Sequence, residues 1–328
     1  MLITGGVKSK RRSIRNPGAY PDTPDSAPFA RAEAFRVATY NVENYLDATS
    51  PRGCVKSAES KAKVRESIRA INPDVLALQE VGNVETLMGL RASLKAEGLD
   101  FPHWEHVTGS DADLHVAILS RLPFAARHPH TDDSFELNGQ RFRVRRGFAE
   151  VDVQVNPGYE FTLFAAHLKS RNAVPDGDAA GLRLGEVKLL RAKIDARLAN
   201  NAEAKLIVLG DFNDTEDSPV LQTIRGAGGG ELFDTQPAEG ENNKDAKARS
   251  NTIPEPGVAA LGATWTTFCE ERDSYERIDY LLISQALVED WVAAESRVLA
   301  MPGWKTASDH RPVVAVFRAG TGQASEST

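Results

Sequence analysis

The stretch that most constrains the fold of this chain covers residues 206–214 and reads LIVLGDFND. Four apolar residues before a glycine predict a short strand that is buried on both faces. In an extended chain Asp211 and Asn213 lie on the same side, while Gly210 permits a turn or a close backbone contact. Two interpretations stay open here. The strand end could position a carboxylate and an amide for metal, water or phosphate chemistry, or it could be an ordinary turn after a strand.

Composition narrows the class of protein. The chain has 328 residues, 41% hydrophobic and 26% charged, as in soluble globular proteins. Its formal net charge of −7 argues against a protein that holds nucleic acid by charge alone, but suits an enzyme whose acids hold a cation. Two cysteines, Cys54 and Cys269, exclude a disulfide framework and cysteine-held zinc as main themes. No apolar run approaches the length of a membrane span.

The two ends are expected to be tails around one domain of residues 34–318. Residues 1–33 begin basic and continue rich in Pro, Asp and Ser, which predicts poor order. The basic cluster could contact nucleic acid, or it could be a solvated terminus. No apolar region follows it, so no signal peptide is predicted and the compartment, cytoplasmic or secreted, stays open. Residues 319–328 form a second polar tail.

Strand and helix signals mix irregularly along the domain. Apolar or β-forming runs predict strands at 35–42, 74–81, 116–121, 143–155, 159–168, 206–211, 264–269, 278–284 and 313–317. Helical spacing predicts helices at 61–71, 84–97, 182–199 and 219–225, and polar stretches predict loops at 170–181 and 237–262. This mixture predicts an α/β fold with partly antiparallel sheets. No Gly-x-Gly-x-x-Gly follows the first strand, which argues against a dinucleotide fold.

Polar side chains collect at the predicted ends of these strands. They are Asn41, Glu80, His167, Asp211, Asn213, Asp279, Asp309 and His310. Carboxylate and amide oxygens with little sulfur suit Mg²⁺ or Mn²⁺, with Ca²⁺ as a further option. The two histidines suit proton transfer near neutral pH. Together the residues provide what phosphate-ester hydrolysis needs: ligands for a cation, a base for water, and donors for developing charge.

Each of these residues also has a plain structural interpretation. His167 could be a hydrogen-bonded core histidine, and Glu80 could be solvated beyond the core. Asp279 could cap the turn before its strand, and Asp309 with His310 could form a turn. Such residues at six strand ends together favour a functional site over separate explanations.

Seven short blocks, taken together, resemble the endonuclease/exonuclease/phosphatase superfamily. They are TYNVEN (39–44), LQEV (78–81), ILSRLP (118–123), AHLKS (166–170), GDFND (210–214), RIDYLLIS (277–284) and SDHRPV (308–313). They occur in the family's order and span residues 35 to 318; the combination is specific, whereas one block alone is not. The resemblance implies a four-layer α/β/β/α sandwich of two mixed, mostly antiparallel sheets, with the active site at the strand ends on one edge.

The resemblance also implies metal and phosphate roles for these residues. Glu80 is expected to be the principal metal ligand, with Asn41 and Asp309 helping. Asp211 is expected to orient or activate the attacking water, and Asn213 to hold the phosphate.

The remaining catalytic roles implied by the resemblance concern the two histidines. His310 is expected to bind and stabilise the phosphoryl oxygen, with Asp279 fixing its tautomer. His167 is expected to act as a donor or acid near the leaving group. A histidine at this position is similar to pancreatic-type deoxyribonucleases and sphingomyelinases, whereas apurinic endonucleases have a tyrosine. This departure weakens a DNA-repair assignment.

The substrate is less constrained than the chemistry. The AHLKS block resembles secreted bacterial nucleases, which favours nucleic acid as the substrate. Lys169, Arg171 and Arg121 are expected to contact its phosphates, although Lys169 and Arg171 could equally be exposed loop charges.

The sequence therefore predicts a metal-dependent phosphodiester hydrolase, first of all a monomeric nuclease that uses in-line attack by water. A phosphatase or phospholipase-type phosphoesterase is the alternative, because the chain is acidic and lacks interleaved aromatic and basic residues. A catalytically inactive binding protein on the same fold is the second alternative. The presence of every expected catalytic residue type argues against it.

Overall fold

Two six-stranded sheets form the centre of the computed structural model, which describes residues 33–49, 55–173, 178–235 and 265–320. In chain order the strands are β1 (Glu33–Tyr45), β2 (Val75–Val81), β3 (His103–Val107), β4 (His115–Ser120), β5 (Phe124–Arg127), β6 (Ser134–Leu137), β7 (Gln140–Arg143), β8 (Phe148–Asn156), β9 (Tyr159–His167), β10 (Leu206–Asp211), β11 (Phe233–Asp234), β12 (Thr267–Cys269), β13 (Ser274–Glu276), β14 (Asp279–Ile283), β15 (Arg297–Val298) and β16 (Val313–Ala319).

The sheets are mixed and mostly antiparallel. The first has the order β15-β16-β1-β2-β4-β3, and within it β1 and β2 run parallel. The second has the order β11-β14-β10-β9-β8-β5, and within it β9 and β10 run parallel. β6 pairs with β7, and β12 with β13, as two small hairpins.

Helices cover the outer faces of both sheets. They are α1 (Ala58–Ile71), α2 (Val84–Ala96), α3 (Ala179–Asn200), α4 (Pro219–Arg225) and the single turn α5 (Trp304–Ala307). Helix α1 begins where the Ser57 hydroxyl accepts a hydrogen bond from the Ser60 N–H. It ends at Asn72, whose left-handed conformation stops the helix before Pro73, as the sequence predicted.

Three apolar clusters lie between these four layers. One fills the space between the sheets, where Val37 and Ala77 of the first sheet pack with Leu163 and Ile207 of the second. Another joins the first sheet to α1 and α2, and the third joins the second sheet to α3 and α4. Strands β2 and β10 are buried on both faces, which explains their unbroken apolar runs. The predicted four-layer α/β/β/α sandwich is confirmed.

Several boundaries of strands and of the domain that were predicted from the sequence differ from those in the structure. The strand expected at 143–155 begins only at Phe148, and β3, β5 and the β6–β7 hairpin had no clear sequence signal. Glu33 and Ala319, both assigned to tails, pair with each other at the ends of β1 and β16. Residues 1–32, residues 174–177 of the predicted 170–181 loop, the whole of the predicted 237–262 loop and residues 321–328 lie outside the described residues, so the predictions made for them stay predictions. Within the described ranges, no helix is both long and apolar enough to cross a membrane.

Candidate active site

The ends of three neighbouring strands bring the predicted residues of the second sheet together. Asp211, the last residue of β10, pairs with His167 of β9 on one side and with Asp279 of β14 on the other. Gly210 precedes it with φ +139°, and a Cβ there would lie 1.9 Å from the carbonyl oxygen of Ala166. Only glycine fits this position, so the predicted close backbone contact is confirmed.

Asn213 reaches the site by a different route from the one expected. It is not extended but left-handed, with φ 55°, because the chain turns directly after β10. Its N–H donates to Oδ1 of Asp211 at 2.9 Å, and its Nδ2 donates to the Leu168 carbonyl at 3.1 Å. The turn after the strand is therefore present, and because it keeps Asn213 beside Asp211 it is compatible with the predicted functional site.

Glu80 enters the site from a bulge in the first sheet. Gln79 pairs with Val116 and Val81 with His115, so Glu80 is the extra residue between two pairs. Its φ of 63° is left-handed, a conformation that costs about 1–2 kcal/mol for a non-glycine residue. Such strain persists where surrounding contacts impose it, and it often marks functional sites.

Asn41 links the two sheets at the site. Its Nδ2 donates to Oδ2 of Asp211 at 2.9 Å and to Oε1 of Glu80 at 3.3 Å. Its Oδ1 accepts the N–H of Glu43 at 3.0 Å. In this orientation Asn41 positions two carboxylates, and its role as a metal ligand stays a prediction.

The two histidines approach the same carboxylate oxygen. His167 Nε2 lies 3.4 Å from Oδ2 of Asp211, and His310 Nε2 lies 3.9 Å from it. His167 Nε2 is also 3.9 Å from Oε1 of Glu80. Oδ2 of Asp211 is therefore the centre of the site, with an amide and two imidazoles around it.

Asp279 and Ser308 fix the position of His310. Nδ1 of His310 is 2.8 Å from Oδ2 of Asp279, and both residues are buried. The Ser308 hydroxyl accepts the His310 N–H at 3.0 Å and donates to the Asn41 carbonyl at 2.8 Å. The two N–H groups of Ile278 and Asp279 in turn donate to Thr266 Oγ1, each at 3.1 Å. Nothing in the sequence indicated a role for Ser308, although it lies within the SDHRPV block, or for Thr266. Serine and threonine are too common near such blocks to indicate a role by themselves.

Burial and neighbouring charges raise the pKa values of both Asp211 and His310. Burial, together with the nearby Asp279 carboxylate, raises the pKa of Asp211 to about 7. Burial alone would lower the pKa of His310, but the carboxylates of Asp279 and Asp309 outweigh it and raise that pKa well above its ordinary value. A carboxylate that exchanges its proton near neutral pH therefore lies beside an imidazolium.

Two sets of donors in the site are candidate ligands for the divalent cation that the family generally requires. Asp211, Asp279 and His310 each place one ligand atom within 4.8 Å of the others. Oδ1 of Asp279 is buried and has no hydrogen-bond partner among the described residues. Glu80 and Asp309 are the more open pair, with side chains 19% and 47% exposed. Their hard oxygens suit Mg²⁺ or Mn²⁺ without breaking the bond between His310 and Asp279.

Comparison with known proteins identifies the family. A sequence model of the Endonuclease/Exonuclease/phosphatase family matches residues 38–310. This chain belongs to that family. Its members hydrolyse phosphoester bonds, and they generally depend on a divalent metal. A comparison with curated protein sequences gives no significant match.

Solved structures share the family's fold with this chain. The human Nocturnin catalytic domain with a bound sulfate anion aligns with a TM-score of 0.58 and 18% identity, over 87% of this chain and 94% of that one. Truncated Caenorhabditis elegans TDP2 aligns at 0.54 and 17%, over 87% and 98%. Sphingomyelinase C from Streptomyces griseocarneus aligns at 0.54 and 18%, over 88% and 100%. At these identities the likeness concerns the fold, the DNase-like sandwich of the family.

Helix α3 holds the end of β9 in place within this family fold. Oε2 of the buried Glu186 accepts the Lys169 N–H at 2.6 Å, and its Oε1 accepts the Arg145 N–H at 2.9 Å. One turn earlier, Arg183 donates to the Lys169 carbonyl at 3.2 Å and to Asp214 at 2.9 Å. The N–H and the carbonyl of Lys169 are thus both fixed just after the end of β9. Sequence reasoning missed this pair, because its i, i+3 spacing on a helix resembles any charged helix face.

The three predicted substrate-binding residues have different positions. The Lys169 ammonium points into its own loop, where it donates to the Ser170 carbonyl at 2.6 Å and the Asn172 carbonyl at 2.8 Å. Arg171 forms an ion pair with Glu276 and interacts electrostatically with Asp211, so it lies near the site.

Arg121 is not brought to the site. It lies 3.5 Å from Asp74 and bonds to Asn72, at the opposite end of β2 from Glu80. Six residues of strand separate these ends by about 20 Å. We therefore leave Arg121 out of the proposed site.

Proposed function

We propose that this protein is a divalent-metal-dependent phosphodiesterase that hydrolyses nucleic acid. One observation carries the proposal: Oδ2 of Asp211 is surrounded by Asn41 Nδ2 at 2.9 Å, His167 Nε2 at 3.4 Å and His310 Nε2 at 3.9 Å. Two imidazoles beside one buried carboxylate are more than a purely structural role requires. In this proposal the polar atoms of these side chains contact the attacking water and the phosphate oxygens.

Each residue has a chemical task in this proposal. Asp211, whose pKa is raised to about 7, takes the proton from the attacking water near neutral pH. His310, held protonated by Asp279, donates from Nε2 to a phosphoryl oxygen as negative charge develops there. His167, on the other side of Asp211, donates to the leaving oxygen.

Asn213 and the metal complete the proposed site. Asn213 holds the turn after β10 through its backbone N–H, and its Nδ2, which gives one hydrogen to the Leu168 carbonyl, would give the other to the phosphate. A divalent ion on Glu80 and Asp309 would neutralise phosphate charge and polarise the ester.

Nucleic acid is favoured over lipid by the surface of the protein. Among the described residues, the exposed large apolar side chains are Val55, Val84 and Phe233, and each belongs to a different segment. A phospholipase would need a continuous apolar surface to enter a lipid layer. The bound sulfate in the Nocturnin catalytic domain is also consistent with anion binding on this fold, although sphingomyelinase C shares the fold as well.

A substrate panel tests this function. The protein is incubated with Mg²⁺, Mn²⁺ or Ca²⁺ and with plasmid DNA, RNA, a bis-aryl phosphodiester or a phosphomonoester. We expect metal-dependent cleavage of a nucleic acid and of the diester, and near-complete loss of activity in Asp211→Ala and His310→Ala, both still folded by circular dichroism. Cleavage of the monoester alone would contradict the nuclease proposal. Normal turnover by either variant in Mg²⁺ would contradict the assignment of the site.

A further inference from the structure

Lys56 lies near three acidic side chains at the site, Glu43, Glu80 and Asp309. It belongs to none of the family blocks and has no task in the proposed mechanism. Its side chain is only 7% exposed, and its Nζ donates to the Glu43 carbonyl at 2.8 Å. The Nζ is also 3.7 Å from Oε2 of the same glutamate. The Lys56 N–H donates to the Leu46 carbonyl at 3.2 Å, which fixes the residue just before α1. A lysine this buried requires specific acceptors, and here the chain of β1 provides them.

The segment that Lys56 contacts is strained. Glu43 and Asn44 are consecutive left-handed residues, with φ 44° and 47°, in a bulge of β1 between Asn41 and Tyr45. This conformation is unfavourable for a glutamate, so contacts from outside the bulge are needed to hold it. Lys56 bonds the Glu43 carbonyl, and the Asn44 N–H donates to Oε2 of Glu80 at 2.9 Å. Lys56 and the principal predicted metal ligand are thus attached to the same bulge.

The charges around this bulge are mostly negative. Glu43 interacts electrostatically with both Glu80 and Asp309, and its carboxylate also accepts the Asp309 N–H. The positive charge of Lys56 acts on all three carboxylates. Three acids around one ammonium resemble the surroundings of a bound cation.

We propose that Lys56 is a resident counter-cation that occupies the Glu43 side of the acidic cluster, weakens divalent-ion binding at Glu80 and Asp309, and prevents a second ion from binding. Lys56 is thus a positioning residue, since it acts on the ion through the acids. The proposal rests on the metal dependence in the proposed function. It follows from the geometry, because Glu43 cannot serve a second ion while its carboxylate faces the Lys56 ammonium and the Asp309 N–H.

Calorimetric titration with Mn²⁺, without substrate, tests the proposal. The proteins are the wild type, Lys56→Met, Lys56→Arg and Lys205→Met. Lys205 is the matched control, since its Nζ bonds Asp290 and the Ala286 carbonyl at the far end of β10 from Asp211. Loss of one unit charge next to the ion should tighten Mn²⁺ binding by about tenfold or allow a second equivalent to bind. Lys56→Arg and Lys205→Met should match the wild type.

A double variant shows whether the effect runs through Glu43. In Glu43→Gln with Lys56→Met, the tighter binding or the second equivalent should be lost, because the acid released by Lys56→Met is gone. Unchanged or weaker Mn²⁺ binding by Lys56→Met would overturn the proposal. If Lys56→Met does not fold, Lys56→Gln carries the same expectation, and failure of both to fold also overturns it. If the wild type and Lys56→Met both fail to bind Mn²⁺, the metal dependence falls as well.

Discussion

Oδ2 of Asp279 accepts a hydrogen bond from Nδ1 of His310 at 2.8 Å, deep in the protein. This bond leaves Nε2 as the ring atom that faces Asp211, 3.9 Å away. Because one nitrogen is occupied by a carboxylate, the ring keeps its orientation and its charge. The proton on Nε2 is therefore the one that His310 can donate to a substrate.

Asp279→Asn should remove the charge that keeps His310 protonated. Burial alone lowers the pKa of a histidine, so the pKa of His310 should fall from well above its ordinary value towards or below that value. Activity at pH 8 should fall on the order of 100-fold, which is a typical rate contribution of one general acid. NMR titration of the ring in EDTA measures the first effect directly. An unchanged His310 titration would show that Asp309 alone maintains the charge.

Asp211→Asn should be inactive yet more stable at alkaline pH. The pKa of Asp211 is raised from 3.8 to about 7 by burial and Asp279, so the folded state binds this proton more tightly than the unfolded state. Ionisation therefore destabilises the fold progressively as pH rises through that window, and the amide avoids this penalty. Thermal melts in EDTA should show the variant above the wild type at pH 8, with the difference shrinking towards pH 4. A variant that melts lower at pH 8 would contradict the assigned direction.

The strands that could be predicted from sequence are those with an unambiguous reason to be apolar. β2 and β10 are covered on both faces, so they leave continuous apolar runs, and their ends correctly located Glu80 and Asp211. β5, β6 and β7 are each four residues long and consist of half-buried and exposed positions only. Such short, partly exposed segments carry too little hydrophobic pattern to be distinguished from loops.

The detailed geometry of the site could not be predicted, because it depends on backbone conformations that local sequence does not specify. The left-handed Glu80 and Asn213 are held by tertiary contacts, and neither residue type requires that conformation. The position of Arg121 depended on strand direction: β4 runs antiparallel to β2, so its end lies away from Glu80. A residue such as Arg121 can thus belong to a sequence block of the family and still lie far from the site.

Glu80→Gln should distinguish the two candidate ion sites. If Glu80 and Asp309 hold the ion, Mn²⁺ binding should weaken by about tenfold or more, and a higher Mn²⁺ concentration should restore part of the activity. The control is Glu160→Gln, an exposed acid at the opposite end of β9 from His167. Calorimetric titration compares the three proteins. Wild-type affinity in Glu80→Gln would instead place the ion among Asp211, Asp279 and His310.

Gly210→Ala should be strongly destabilising, although it adds only one methyl group. The new Cβ would lie 1.9 Å from the Ala166 carbonyl oxygen, and φ of +139° is itself unfavourable for alanine. Relief requires β10 to separate from β9, so we expect a loss of at least about 3 kcal/mol in the free energy of unfolding. The control is Gly89→Ala on the exposed face of α2, where no atom lies within 4 Å of the new Cβ. That change should stabilise the protein by about 0.5–1 kcal/mol, because alanine favours the helix. Urea denaturation measures both, and a Gly210→Ala protein as stable as the wild type would show that the contact between β9 and β10 is not the reason for glycine before Asp211.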